Sequence, residues 1–344
     1  MKLKKITALL LAIAMIFSLA ACGKSRDDTK DKDDNSSSAS SVSENDDGEY
    51  PVTIGDVTIQ SHPTRIVSLS PSLTEKLYDI GLEEYLVGVS DYCNYPIAAQ
   101  NLPQCGTNLL PNIAAIKDLE PHVIITQSQM VEEDLEDFQK AGIDVVLIRP
   151  AKNIEQFKES YVSLAILLEG NLLGADIGNS FAVNLQSRLD YLSGYLVPYA
   201  QSNGMKKALF LRLLDFNVAT GDTLENELLV TIGMRNIAED YTGWLYPEDI
   251  AKADGRADFE AIDIIFMDED FVDIKMLEQS SYYRGLQATI KDRYMYIDSI
   301  VFERQGLRML DAFERMAAYA YPDAVPPLPS NDDEPEDEDS SEAA

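Results

Sequence analysis

Residues 154–203 constrain this chain most: they carry two helix-periodic apolar series with no strand-like segment between them. Ile154, Phe157, Tyr161, Leu164 and Leu168 recur at steps of three and four, as do Phe181, Leu185, Leu189, Leu192 and Leu196. That spacing places each set on one face of a helix. About fifty residues of helix in an otherwise alternating chain are most simply a long rigid helix packed across two lobes.

Strands and helices alternate on both sides of this connector. Residues 65–69 (RIVSL) form a short β-branched run that Ser70-Pro71 ends. Ser72-Leu73-Thr74-Glu75 then reads as a capping box opening a helix that stops near Ile80-Gly81. Residues 86–89, 123–126 and 144–148 are further strands, and alternation of this kind makes a parallel sheet covered on both faces. The pattern returns after Gly204 as an echo. Glu227 precedes Ile232-Gly233 as Glu75 precedes Ile80-Gly81, and residues 260–265 repeat the order of residues 119–125. The expected fold is therefore α/β: two Rossmann-like lobes with parallel-rich sheets, a rigid connecting helix, and a ligand cleft between the lobes. The expected lobes are residues 50–152 and 204–322, joined by connecting helices over 153–203.

The N-terminus supplies an address. Lys2, Lys4 and Lys5 precede an apolar run from Ile6 through Phe17, and Leu19-Ala20-Ala21-Cys22 follows. Basic start, short apolar span and small residues before a cysteine make residues 1–21 a lipoprotein signal peptide, with Cys22 as the lipidated residue. The expected location is extracytoplasmic, tethered to the cell membrane by lipid. Residues 22–49 are a Ser/Asp/Lys linker and residues 323–344 an acidic tail; both are too poor in apolar side chains to order themselves. The formal charge of −31 repels phosphate backbones, so nucleic acid is not an expected partner. With Cys22 lipidated, Cys93 and Cys105 remain as a potential disulfide in an oxidising compartment.

Familiar catalytic motifs are missing. There is no G-x-S-x-G elbow, H-E-x-x-H helix, Walker lysine loop or G-x-G-x-x-G fingerprint. The two histidines, His62 and His122, are too few for a zinc or manganese site and are read as structural. No enzyme activity, metal site or cofactor is expected. What stands out is aromatic: Tyr92 and Tyr95 in one loop, Trp244 in another, and Phe302-Glu303-Arg304-Gln305-Gly306 before the last helix. Loop aromatics at a lobe interface suit a large, planar, partly apolar guest, and they also suit packing of the interface itself.

These segments, together with Val87-Gly88-Val89-Ser90-Asp91-Tyr92 and Gly233-Met234-Arg235-Asn236-Ile237-Ala238, resemble the cobalamin-type substrate-binding lipoproteins of ABC importers. That class of periplasmic binding proteins also holds haem and ferric-siderophore binders. The resemblance implies a monomer that captures a corrinoid of the vitamin B12 type and delivers it to a permease and its ATPase subunits. Haem or a ferric siderophore is the alternative cargo. It implies ligand-binding roles for Ser72, Tyr92, Tyr95, Gln127, Arg212, Trp244, Asp298, Phe302 and Arg304, with Asn108 in place of a pocket tryptophan. It also implies permease docking through Glu248, with Ala114 where the first lobe would carry a second glutamate.

Overall fold

The computed structural model describes residues 49–212, 217–246, 261–268 and 274–324. The signal segment, Cys22, most of the linker, Glu248 and nearly all of the acidic tail lie outside those residues.

The first lobe opens with an antiparallel hairpin, β1 (Val52–Ile54) and β2 (Val57–Ile59). Four parallel strands follow: β3 (Ile66–Ser68), β4 (Leu86–Val89), β5 (Val123–Thr126) and β6 (Asp144–Leu147), in the order β4-β3-β5-β6. Successive side chains alternate between two cores. Ile66, Val123 and Ile125 pack with Leu73 and Leu77, while Val67 and Ile124 pack with Ile116 and Phe138. Helices α1 (Pro71–Asp79), α2 (Ile113–Asp118) and α3 (Glu132–Lys140) join these strands.

Helix α1 begins two residues earlier than the capping-box reading places it. Ser70 is the N-cap, its Oγ accepting from Leu73 N at 3.2 Å, and Pro71 takes the first helical position. Proline suits that position because its φ is pre-set and the amide it lacks would have no intrahelical partner. Ser72 and Glu75 therefore lie inside the helix, free to make long-range contacts.

The connector differs from a single rod. Helix α4 (Ile154–Glu169) ends at Gly170, and α5 (Ala175–Asn203) runs back along it. The Tyr161 and Phe181 rings lie 4.5 Å apart, and Gly174 and Gly178 press onto the backbone of α4. At 29 residues, α5 is about 43 Å long. Its Leu185, Leu189, Leu192 and Leu196 enter the second lobe's core. Helix α4 straddles both lobes, with Phe157 and Tyr161 in that same core and Leu164, Leu167 and Leu168 in the first. Glu49 clasps the reversal: its carbonyl accepts from Asn171 N at 3.0 Å and its carboxylate from Leu172 N at 2.6 Å.

A Cβ at position 178 would sit 2.5 Å from Val162 Cα, a backbone atom that no rotamer change can move. Gly178→Val is expected to cost about 2–3 kcal/mol, because the steric penalty exceeds the ~1 kcal/mol that replacing a helical glycine can return. Urea denaturation measures it; a variant as stable as the parent would disprove the close approach.

The second lobe repeats the first. Strands β7 (Lys206–Arg212), β9 (Met234–Asn236), β11 (Ile264–Asp268) and β12 (Tyr294–Ile297) run parallel in the order β9-β7-β11-β12. This is the first lobe's β4-β3-β5-β6 order again. Two additional antiparallel strands, β8 (Asn217–Ala219) and β10 (Trp244–Leu245), extend the sheet beyond the carboxyl half of β7. Helix α6 (Leu224–Thr231) corresponds to α1, and both are followed by a left-handed glycine, Gly81 at φ 72° and Gly233 at φ 71°. Helices α7 (Ile274–Gln279) and α8 (Gln287–Ile290) precede β12. Helices α9 (Ser299–Arg304) and α10 (Leu307–Ala320) then close the described chain, hinged at Gln305 with φ 51°.

Cys93 and Cys105 are both buried free thiols, which corrects the disulfide expectation. The Cys93 thiol lies 3.3 Å from Thr74 Oγ1, whereas the Cys105 thiol turns toward Pro103 O at 3.6 Å. Burial disfavours the thiolate and raises the pKa of both, to about 11 for Cys105.

Candidate functional site

In a parallel sheet, ligands collect outside the carboxyl ends of the strands where the chain reverses its direction of winding. The shared strand order puts that point between β3 and β5 in the first lobe and between β7 and β11 in the second. Helices α1 and α9 start at these carboxyl edges and abut one another, Ser72 Oγ donating to Arg304 O at 2.5 Å. The two carboxyl edges therefore meet at this junction, as a cleft between lobes requires.

On the first lobe, Gln127 follows β5 and closes the switch point. Its Oε1 accepts from Ser70 Oγ at 2.8 Å and its Nε2 donates to Ser72 Oγ at 3.0 Å. Asn108 Oδ1 accepts from Thr126 Oγ1 at the last residue of β5, leaving Asn108 Nδ2 buried and without a partner. Tyr92 and Tyr95 lie in the loop after β4. Tyr92 is 66% exposed, and Leu109 and Leu110 in the loop before α2 are exposed as well. Asp91 holds their two loops together, its Oδ1 accepting from Gly106 N at 2.8 Å.

On the second lobe, Arg212 ends β7. Both its Nε and one terminal nitrogen donate to Glu303 Oε1, at 3.0 and 2.6 Å, and its guanidinium stacks 4.9 Å from the Trp244 ring centroid. Trp244 is half-buried, one edge against the core. Beneath this unit Glu225 is buried, and desolvation raises its carboxyl above the ordinary range. Asp222, in contrast, is held below its ordinary range, chiefly by accepting from Gly243 N.

A polar joint fixes the two edges. Glu75 of α1, 2% exposed, receives Arg308 in a two-bond fork at 2.6 and 3.1 Å, and Arg304 stands 3.8 Å away. The same Arg308 lies 4.0 Å above the Tyr95 ring, so Tyr95 bridges the lobes. Lys76 is wholly buried; its ammonium donates to Gln305 O at 2.6 Å and faces the Phe157 and Tyr161 rings. Desolvation pushes Lys76 down to about 7 and raises the carboxyls of Glu75 and Asp79. Gln305 in turn grips both backbone groups of Ala151, each at 2.8 Å. The lobes also cap each other's helices: Asp79 accepts from Leu307 N at the start of α10, and Glu227 from Ile154 N at the start of α4.

Several expected ligand residues therefore serve other ends. Ser72, 1% exposed, is a joint hydroxyl, and Phe302, 2% exposed, packs edge-on against Phe210 in the core. Asp298 caps α9 through Ile300 N, and Arg304 is drawn toward Glu75. Tyr92, Gln127, Asn108, Arg212 and Trp244 do lie at the facing carboxyl edges. Sequence reading does not reach Lys76 and Asp79, and it names Glu303 and Gln305 only within the Phe302-Glu303-Arg304-Gln305-Gly306 segment, without a role, although Gln305-Gly306 between two helical runs signals a turn. Ala114 is exposed on α2. A cavity of about 490 Å³ lies elsewhere, behind the joint between Gly81 and Phe181.

Comparison with known proteins agrees with this architecture. The chain is 27% identical over 328 residues to YvrC of Bacillus subtilis, an uncharacterised ABC transporter substrate-binding lipoprotein, spanning 92% of this chain and 96% of that protein. A cobalamin-binding protein of Halobacterium salinarum is 25% identical over 207 residues, 58% of this chain and 54% of that protein. Among solved structures, the periplasmic haem-binding protein HutB of Vibrio cholerae superposes with a TM-score of 0.63 at 22% identity, covering 75% of this chain and 99% of that one. At that identity the likeness speaks for the fold alone. A family model for periplasmic binding proteins matches residues 66–300, and the chain belongs to that family.

Proposed function

We propose that this protein is the substrate-binding component of an ABC importer, lipid-anchored through Cys22 outside the cell, and that its cargo is a corrinoid of the vitamin B12 type. The relatives support the importer role: one is named a substrate-binding lipoprotein and another a cobalamin-binding protein. The cargo assignment rests on one observation. Among the described residues, the guanidinium at the second lobe's switch point and the one that forks onto Glu75 are each bonded to a carboxylate, and the joint's ammonium, Lys76, is wholly buried. Arg212 is paired with Glu303, Arg308 with Glu75, and Lys152 with Asp222 at 3.5 Å, while Arg304 stands 3.8 Å from Glu75 with its Nε buried and without a hydrogen bond. A site that held haem propionates or an anionic siderophore would offer them an uncommitted cation. A corrinoid, edged with neutral carboxamides, needs none. Tyr92 and Trp244 supply the aromatic surfaces for such a ring, and Gln127 an amide for its side chains.

The protein carries no chemistry of its own in this reading. It captures the cargo and presents it to a permease driven by separate ATPase subunits. Titration of the purified protein with dicyanocobinamide should shift the corrinoid's visible bands, and bound cargo should raise the melting temperature by mass action. Tyr92→Ala and Trp244→Ala are each expected to weaken binding roughly 5–30-fold, equivalent to ~1–2 kcal/mol of lost aromatic contact. Flat corrinoid titrations beside a Soret shift with haemin would replace the corrinoid with haem.

A further inference from the structure

We infer that Glu303 sets the charge selectivity of the cleft: it immobilises Arg212 and offers its free oxygen to an N–H donor on the cargo, selecting carboxamide-bearing macrocycles over carboxylate-bearing ones. The inference deepens the proposed importer function and rests on the same cleft. Both Arg212 nitrogens that engage Glu303 converge on one oxygen, Oε1. Among the described residues no hydrogen bond occupies Oε2, and the Glu303 side chain is 31% exposed at the second lobe's carboxyl edge. An ionised carboxylate oxygen there accepts from an amide N–H and repels a second carboxylate. Arg212 is confined from its other side by the Trp244 ring, so it cannot turn to greet an anion while Glu303 is present. The partially buried setting keeps these charges from being fully screened.

The nearby Glu225 does not substitute for Glu303. It is buried and receives its bonds from its own backbone N–H and from Thr223. Removing the Glu303 charge therefore leaves Arg212 without a hydrogen-bonded carboxylate on the cleft wall, with Glu225 acting on it only through space. Glu303→Gln keeps size and hydrogen-bonding capacity, and its partial exposure makes a folding defect avoidable; a thermal melt checks this.

The test compares two probes, dicyanocobinamide and haemin, on wild type, Glu303→Gln and the double variant Arg212→Gln/Glu303→Gln. Glu303→Gln is expected to tighten haemin at least tenfold relative to wild type and to weaken cobinamide a few-fold. The double variant should return haemin to the wild-type value, because the freed guanidinium is gone. An affinity ratio between the probes that changes less than twofold on Glu303→Gln overturns the inference. Failure of wild type to bind cobinamide instead removes the corrinoid assignment. In that case the haemin gain of Glu303→Gln still decides the role of Glu303, and no binding of either probe by any variant overturns both.

Discussion

Replacing Arg308 with alanine is expected to destabilise the folded protein by about 3–5 kcal/mol, the cost of stranding a buried carboxylate. Glu75 would retain only Arg304, 3.8 Å away and without a hydrogen bond, while the two-bond fork from Arg308 and its cover over Tyr95 would be lost. The Arg308 side chain is 28% exposed, whereas that of Glu75 is 2% exposed, so the penalty lies mostly on the glutamate. Urea denaturation of the single variant and of Glu75→Met/Arg308→Met separates the two sources of cost. The double variant, with no charge left to strand, should recover most of the loss. A single-variant cost below about 1 kcal/mol would mean that the pair acts as an ordinary surface ion pair.

The second large effect concerns pH. Lys76 ionises at about 7 in the folded protein, since its burial disfavours the ammonium, whereas the unfolded chain keeps its ordinary value of 10.5. Between those values the unfolded state binds more protons, so stability must rise with pH. One group contributes at most ~1.4 kcal/mol per pH unit, which gives a gain of about 2 kcal/mol between roughly pH 7.5 and 9.5. Glu75 and Asp79, raised by burial, act in the opposite sense, their contribution being lost as pH rises through their folded values at lower pH. Tyr50 and Tyr85 are also raised and oppose the gain only at higher pH, whereas the Cys93 and Cys105 thiols, raised by burial from an ordinary 9.0, oppose it in the upper half of the window. Chemical denaturation should show the rise in wild type between about pH 7.5 and 8.5, and Lys76→Met should lack it and decline as pH approaches about 9.5, where the unfolded thiols ionise. Equal slopes in the two proteins would assign the effect to another group.

The repeat of one lobe in the other was legible in sequence because it is written locally. A helix that ends Ile-Gly leaves its mark in adjacent residues, and Ile80-Gly81 and Ile232-Gly233 proved to be equivalent corners. The switch-point residues Gln127 and Arg212 could be placed for the same reason, each following a recognisable strand. Reversal of the connector was also written, in Gly170, Gly174 and Gly178 at four-residue intervals, a spacing that lets two helix backbones approach. The apolar periodicity on either side, continuous with one rod, outweighed it. The joint was not legible. Glu75 meets Arg308 across 233 positions of chain, and Gln305 meets Ala151 across 154, separations that no local pattern encodes. Nor could composition show that Arg212 is held by Glu303, which is the feature that bears most on cargo.

The clasp of Glu49 on the turn between α4 and α5 determines where a tether would transmit force. Tension arriving through the chain ahead of Glu49 would enter at Asn171 and Leu172 and spread along the axis of α5. The covalent path continues into β1, so this clasp and the β1–β2 hairpin would take load before the parallel strands of either lobe.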